Sequence, residues 1–188
     1  MFLVYFEEKG ASCLEVIQTE RLILRPPVLE DAAALLPIRN SDFVFAFNPM
    51  KPMSEAQMRE NLDKGRERMV VLEKKEDNTV IGAFFWSEDK LRYRVAALCL
   101  SYYLAQQESG KGYMTETLRK MTEQLFLQGT QVLSLRCYKE NIASAKVAEK
   151  SGFVHEGCIR CAVLDNSGVL HDDCIYSLTR EEYQTGGR

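Results

Sequence analysis

The chain has 188 residues, 46% of them apolar and 27% charged, and its 24 basic and 27 acidic side chains give a net charge of −3. Against a prior of about 150 residues per domain this is one domain, able to build a core without disulfides or metal. Mild acidity argues against a nucleic-acid platform, and the longest uncharged apolar stretches, 80–86 and 95–100, fall far short of the roughly 20 residues a membrane helix needs. Glu7, Glu8 and Lys9 interrupt the apolar start before a signal-peptide core can form, so a soluble, cytoplasmic protein is expected.

Residues 1–15 read as a leader or short strand ahead of a domain over 16–184. Arg21 to Arg25 alternates and stops at Pro26-Pro27, which predicts a strand. Glu30 and Asp31 open a helix through Leu35 and Leu36 whose length Pro37 limits. Ser54 and Gln57 form a capping box, predicting a helix over about 55–66. Segments 69–73, 80–87 and 94–104 read as consecutive strands, turned at Asp77-Asn78 and Asp89-Lys90. After Gly112 the period changes. Met114, Leu118, Met121 and Leu125 make one helical stripe that ends near Gly129. A strand over 132–137 precedes a helix capped by Asn141 and ended at Ser151-Gly152. Two strands, about 153–164 and 170–178, flank a turn at Asp165-Asn166-Ser167-Gly168. This order predicts an α/β (α+β) fold, a mixed sheet with helices on its faces.

Six cysteines (Cys13, Cys99, Cys137, Cys158, Cys161 and Cys174) sit in apolar runs. In a reducing compartment they are expected as free, buried thiols. His155, Cys158, Cys161, His171 and Cys174 form H-x2-C-x2-C-x9-H-x2-C, and these ligand types suit tetrahedral zinc. Cys158 and Cys161 stand an odd number apart in a predicted strand, so their side chains would point to opposite faces. No second C-x2-C completes the set, and thiols rather than a metal site are expected.

The chemistry-bearing segment is Leu104 to Met114, where a strand runs into Gln107-x-x-Gly110-x-Gly112 and then an amphipathic helix. Glycines let the backbone approach a ligand closely, and the first N–H groups of a helix lack internal partners. The helix dipole favours an anion there, so a pyrophosphate fits, with Lys111 as a point charge at the rim. Neither well-known phosphate loop matches. Gly112 follows Lys111 where a Walker loop needs Ser or Thr, and Thr115 stands where a dinucleotide fingerprint has its third glycine. Taken alone, a strand–Gly–helix turn is also plain architecture.

A second segment, Asn141-x-x-Ser144 through Gly152-Phe153, raises the signal. Joined to the loop, to Thr19-Glu20-Arg21-Leu22-Ile23-Leu24-Arg25, to Ser101-Tyr102-Tyr103-Leu104, and to Glu156-Gly157, Arg160 and Asp172 ahead of Tyr176, it completes a pattern. Over about Val16 to Tyr183 the chain resembles the acyl-CoA N-acetyltransferases of the GNAT superfamily, and within it the ribosomal-protein N-terminal acetyltransferases, the RimJ/RimL-like group. The resemblance implies a single-domain, mostly antiparallel sheet whose central strands splay to admit the pantetheine arm. It implies acetyl-CoA as cosubstrate, an amine acceptor (a peptide N-terminus or a small amine), and no metal. Cofactor-binding residues would be Tyr103, Leu104, Gln107, Ser109, Gly110, Lys111, Gly112, Tyr113, Met114, Asn141 and Ser144. Leu104 would offer backbone groups to the pantetheine, Gln107 through Gly112 would hold the pyrophosphate, and Asn141 would contact the arm. Ser144, beside the thioester sulfur, would be the catalytic residue.

Direct attack in a ternary complex needs a neutral amine and a donor for the departing thiolate, a leaving group of pKa about 8–9 by analogy with cysteine. A backbone N–H would stabilise the oxyanion. Many relatives carry a tyrosine acid seven residues after the Asn, where this chain has Ala148. Glu is common among relatives at the positions of Cys99 and Val163, and a Gly at that of Ser101, so both familiar carboxylate bases are missing. Glu156, Asp172 and Glu88 are the remaining carboxylates by position, with Asp172 expected to pair with Arg160. A water relay, or an acceptor such as an α-amine of pKa about 7.7–8, would meet the need. Phe43, Phe45 and Phe47 are candidates for the acceptor pocket or for core. The alternatives are an acyl-CoA-binding module without catalysis, or an acetyltransferase for a small amine or antibiotic. Oligomeric state, a homodimer included, stays open, and no nucleic-acid or membrane partner is expected.

Overall fold

The computed structural model describes residues 15–186. Apart from Glu15, the leader expected over 1–15, with Cys13, lies outside them. Eight strands, β1 (Ile17–Gln18), β2 (Leu22–Arg25), β3 (Met69–Lys74), β4 (Val80–Glu88), β5 (Ala97–Leu104), β6 (Val132–Tyr138), β7 (Val154–Leu164) and β8 (Leu170–Thr179), form one sheet in the order β1-β2-β3-β4-β5-β6-β8-β7. Every neighbouring pair is antiparallel except β5–β6. Six helices, α1 (Ala32–Arg39), α2 (Asp42–Phe45), α3 (Glu55–Gly65), α4 (Tyr113–Leu127), α5 (Ile142–Lys150) and α6 (Arg180–Gln184), are distributed over its faces and ends. No helix among the described residues is long and apolar enough to cross a membrane.

The strand period of two divides the core. Val70, Leu72, Phe84, Trp86, Leu100, Leu133 and Leu135 face Met114, Leu118, Met121 and Leu125, the predicted stripe of α4. Val71, Ala83 and Tyr103 point the other way, onto Ala32, Leu35, Met58 and Leu62 of α1 and α3. Burying each Leu in these layers contributes about 1.5–3 kcal/mol, so both layers are needed to hold the sheet between them.

Local signals place most ends correctly. Ser54 and Gln57 make the expected reciprocal cap of α3. Four details differ. Pro37 does not stop α1, which runs two residues past it, because only the single bond to the Ala33 carbonyl is lost in the last turn. α2, capped by Ser41, is a helix the apolar pattern does not show. β5 starts at Ala97 rather than 94, after a loop in which Arg94 adopts φ +61°. α6 follows a Thr179–Glu182 capping box at the end of β8.

One close approach sets up the rest. On β4, a Cβ at Gly82 would collide with the Tyr103 carbonyl oxygen and lie 3.1 Å from Leu104 Cα. Only a glycine lets β4 lie this near the last residues of β5. Gly82→Ala should cost about 2–4 kcal/mol, read as a lowered midpoint of urea unfolding at unchanged slope. An unchanged midpoint would show that the strand pair can relax around the methyl group.

Candidate active site

The cleft begins where a strand pair stops. β5 and β6 run parallel through Ala97–Val132, Leu98–Leu133, Cys99–Ser134 and Leu100–Leu135, and pair no further. Past that point β5 stays with β4 as far as Leu104 opposite Gly82, while β6 stays with β8 as far as Tyr138 opposite Asp173. The β6-side edge of Ser101–Leu104 is therefore unpaired, and buried backbone groups demand a partner from somewhere. Between the free edge of β5, the start of α4, α5 and the α2 segment lies a cavity of about 700 Å³.

At the head of α4 the backbone forms an anion cradle. Gly110 and Gly112 adopt φ +78° and +86°, which glycine takes at little cost. A Cβ on Gly110 would meet nothing within 4 Å, so the dihedral and not crowding requires the glycine. The N–H groups of Gly110 through Thr115 have no acceptor among the described residues. They stand at the positive end of a 15-residue helix. Arg21 holds this loop from outside. Its backbone N–H and Nε donate to the Glu116 carboxylate at 2.8 and 2.7 Å, and its Nη1 donates to the Lys111 carbonyl at 2.9 Å. The guanidinium also covers the Tyr113 ring at 4.4 Å, and the Thr19 hydroxyl donates to Glu116 at 2.5 Å.

Opposite the loop, α5 presents Asn141 and Ser144. Asn141 is the helix cap, its Oδ1 accepting from the Ser144 N–H at 3.0 Å. The buried Ser144 hydroxyl is 2.8 Å from the Tyr102 hydroxyl, which reaches across from β5. Burial pushes the nearby Cys137 thiol up to about 11, partly offset by hydrogen bonding with Ser144. Burial likewise lifts the Cys99 thiol above its ordinary value, which makes it a poor base.

Of the residues expected at a donor site, Tyr103, Leu104, Ser109, Gly110, Gly112, Tyr113, Met114, Asn141 and Ser144 line the cavity. Gln107 and Lys111 do not. The 3-10 turn over Gln106–Glu108 leaves Gln107 exposed and buries Glu108 against the Lys111 ammonium at 2.9 Å. Phe43 and Phe47 line the wall, but Val44 takes the place expected of Phe45, since α2 is helical and sequence alternation does not set its faces. Glu156 and Asp172 are elsewhere. Glu156 accepts from Ser177 and, at 2.6 Å, from Arg92. Asp172 accepts from the Cys161 N–H at 3.0 Å and faces Lys139 at 3.7 Å; among the described residues Arg160 forms no ion pair with it. The carboxylates that do line the cavity are Glu108 and Glu140. Tyr102, Lys146, Val147 and Lys150 also line it, although none of them is among the site residues expected from the sequence. Projecting a helix from Ser144 would have found Val147, three residues on.

The cysteines need a correction. Cys158 and Cys174 are not free thiols but a disulfide, because β7 and β8 set them directly opposite each other. Cys161 is exposed, at φ +52° in an irregular stretch of β7. Of the five His and Cys positions only His155, Cys158 and Cys174 come together, within 4.8 Å, and His171 instead faces Asp165 and Glu140. With both sulfurs bonded to each other, no tetrahedral ligand set exists there.

Residues 21–154 match the acetyltransferase (GNAT) domain family. Among solved structures the chain is similar to a GNAT-family acetyltransferase from Bacillus anthracis, with a TM-score of 0.79 and 19% identity, covering 89% of this chain and 100% of that one. It is similar to the ribosomal-protein-S5-alanine acetyltransferase from Vibrio fischeri, with a TM-score of 0.79, 21% identity, and 90% and 98% covered. RimL, a ribosomal-protein α-N-acetyltransferase solved with coenzyme A, gives a TM-score of 0.76 at 21% identity, with 88% and 98% covered. At these identities the likeness shows the fold. No curated protein matches the chain.

The clamp on the cradle is pH-sensitive in a defined direction. Burial pushes the Glu116 carboxyl up, but hydrogen bonds from Thr19 and Arg21 outweigh it and hold the group below its ordinary value. Its stabilisation is therefore complete above the unfolded value, near about 4.3, and is lost as pH falls through the lower folded value. Glu116→Gln should cost about 1 kcal/mol at pH 7, a loss that shrinks as the pH is brought below about 4. Urea unfolding across that range checks it, and a pH-independent loss would contradict the clamp.

Proposed function

We propose, since this chain belongs to the GNAT acetyltransferase family, that residues 16–184 move an acetyl group from acetyl-CoA to a protein N-terminal α-amine by direct attack in a ternary complex. The observation that carries this reading is the parting of β5 and β6 into a cleft that ends at six N–H groups with no acceptor among the described residues. An extended amide-bearing arm with a diphosphate at its far end satisfies both at once, the strand edge along its length and the cradle at its head. Acetyl-CoA supplies the acyl group as a thioester, a carbonyl already activated toward amines. Two solved relatives, one with acetyl-CoA and AMP and one with coenzyme A, support this donor.

The chain's own residues then divide the work. The Ser101–Leu104 edge orients the arm, and the loop from Gly110 into α4 neutralises the diphosphate with N–H groups that need no reorganisation. Ser144 donates a hydrogen bond to the sulfur as the carbon–sulfur bond breaks. Neither Cys99 nor Val163 supplies a base, and Glu156 is engaged by Arg92. An acceptor that is partly neutral at pH 7 therefore suits this site, as an α-amine near 7.7–8 is, whereas a lysine near about 10.4 would need a strong base. The ribosomal-protein acetyltransferases among the similar structures favour the same acceptor class, and with it the RimJ/RimL-like branch.

Labelled acetyl-CoA offered with N-terminal peptides, with the same peptides Nα-blocked but carrying lysine, and with small amines should label the free N-termini. kcat/KM should rise with an apparent pKa close to that of the free α-amine. Ser144→Ala should lower kcat by about 10²-fold or somewhat less at unchanged KM for acetyl-CoA. Efficient labelling of lysine side chains at pH 7 would reject the α-amine reading, and CoA binding without any transfer would favour a binding module.

A further inference from the structure

We propose that Tyr102 is a positioning residue for Ser144: its hydroxyl donates to Ser144 Oγ across the parted strands, leaving the serine proton directed at the leaving sulfur. The inference rests on the reading of Ser144 given above and extends it to a residue on the opposite wall of the cleft.

The two hydroxyls are 2.8 Å apart and carry one proton each, so which one donates is decided by what the other arrangement would leave unpaired. If Ser144 donated, the phenol proton would have no acceptor, because Ser144 is the hydrogen-bond partner of that hydroxyl among the described residues. A donor without an acceptor is the costly case, and of the two only the serine has a second partner, the neighbouring Cys137 thiol. If Tyr102 donates, the phenol is satisfied and the serine proton is the one left free to meet a ligand in the cavity that both residues line. Burial keeps the phenol protonated. It lifts Tyr102 well above its ordinary value, with the Ser144 hydrogen bond only partly offsetting the effect.

Both ends of the pair are held. Tyr102 lies opposite Phe84 on β4, their rings near-parallel at 9° with centroids 6.4 Å apart. Ser144 sits in the first turn of α5, its N–H bound to the Asn141 cap at 3.0 Å. The other group beside the serine oxygen is the Cys137 thiol, which is neutral at pH 7 and a weak acceptor. A thiolate is a far better one, since the hydrogen bond to it is charge-assisted.

The bond changes balance without using either proton. The amine nitrogen bonds to the acyl carbon, the carbon–sulfur bond breaks, and its electron pair stays on sulfur. The proton shed by the nitrogen passes to solvent, and the thiolate is protonated from there. Ser144 and Tyr102 keep their own protons, and Tyr102 acts by orienting and polarising the serine.

The test compares wild type, Tyr102→Phe, Ser144→Ala and the double variant by kcat, by KM for acetyl-CoA, and by calorimetric Kd for CoA and for desulfo-CoA at pH 9, where the thiol is largely ionised. Phenylalanine keeps the ring packed on Phe84, and a melting curve checks each fold. Tyr102→Phe should lower kcat about ten-fold at unchanged KM, and the double variant should be no slower than Ser144→Ala alone. The preference for CoA over desulfo-CoA should fall in Tyr102→Phe toward its value in Ser144→Ala. A wild-type rate in Tyr102→Phe, an effect confined to KM, or losses that multiply in the double variant would overturn the positioning role while leaving Ser144 in place. A fully active Ser144→Ala would reject the serine's role and this inference with it, and a wild type that neither binds CoA nor transfers acetyl would reject the proposed function itself.

Discussion

Everything about the cleft depends on one parallel strand pair that stops early. Four residues of β5 and β6 pair, with Leu100 and Leu135 buried at the last step, and then the two strands follow different partners. β5 is held to β4 by the close approach at Gly82, and β6 is held to β8 through Tyr138. A parallel pair of four residues is too short to impose its register on strands that each have a longer antiparallel neighbour, so the separation is built into the pairing. The consequence is an unpaired strand edge next to a cavity, which most folds avoid and which here is the proposed surface for the donor's arm.

The second dependence runs from the start of the domain to its centre. Thr19 and Arg21, at the entrance to β2, satisfy three sides of the Glu116 carboxylate and the Lys111 carbonyl. Arg21 and Glu116 are far apart in sequence, yet together they fix the first turn of α4 and the loop ahead of it. A loop held open before its anion arrives loses less freedom on binding, which is how a partly exposed ion pair can matter to affinity although it adds little to stability. The Thr19-Glu20-Arg21-Leu22 motif thus has a physical reason that no local pattern in it reveals.

What was legible in the sequence was local or periodic. The α4 stripe, the Ser54 cap, the Asn141 cap and the run of strands each reflect interactions within a few residues, and the loop glycines marked the cradle. Contacts that need register were not legible. Cys158 meets Cys174 only because β7 and β8 align those two positions, and reading each cysteine as a lone hydrophobe concealed the pair. Glu156 could be placed on a strand but not paired with Arg92, which arrives from the loop before β5. Tyr102 was quoted as part of a motif, but its reach to Ser144 depends on how far β5 and β6 part, a property of the whole sheet. The short helix α2 shows the same limit at smaller scale, since tertiary packing of Val44 and its neighbours decides which phenylalanine faces the cavity.

The central claim is that the strand edge and the cradle together hold the donor. Amide hydrogen exchange with and without CoA, resolved by mass, measures both surfaces in one experiment. The account predicts that CoA slows exchange at 101–104 and at 110–115 together, with little change along β7 on the sheet's far edge. Protection at neither segment, or protection centred on β7 and β8 instead, would contradict it.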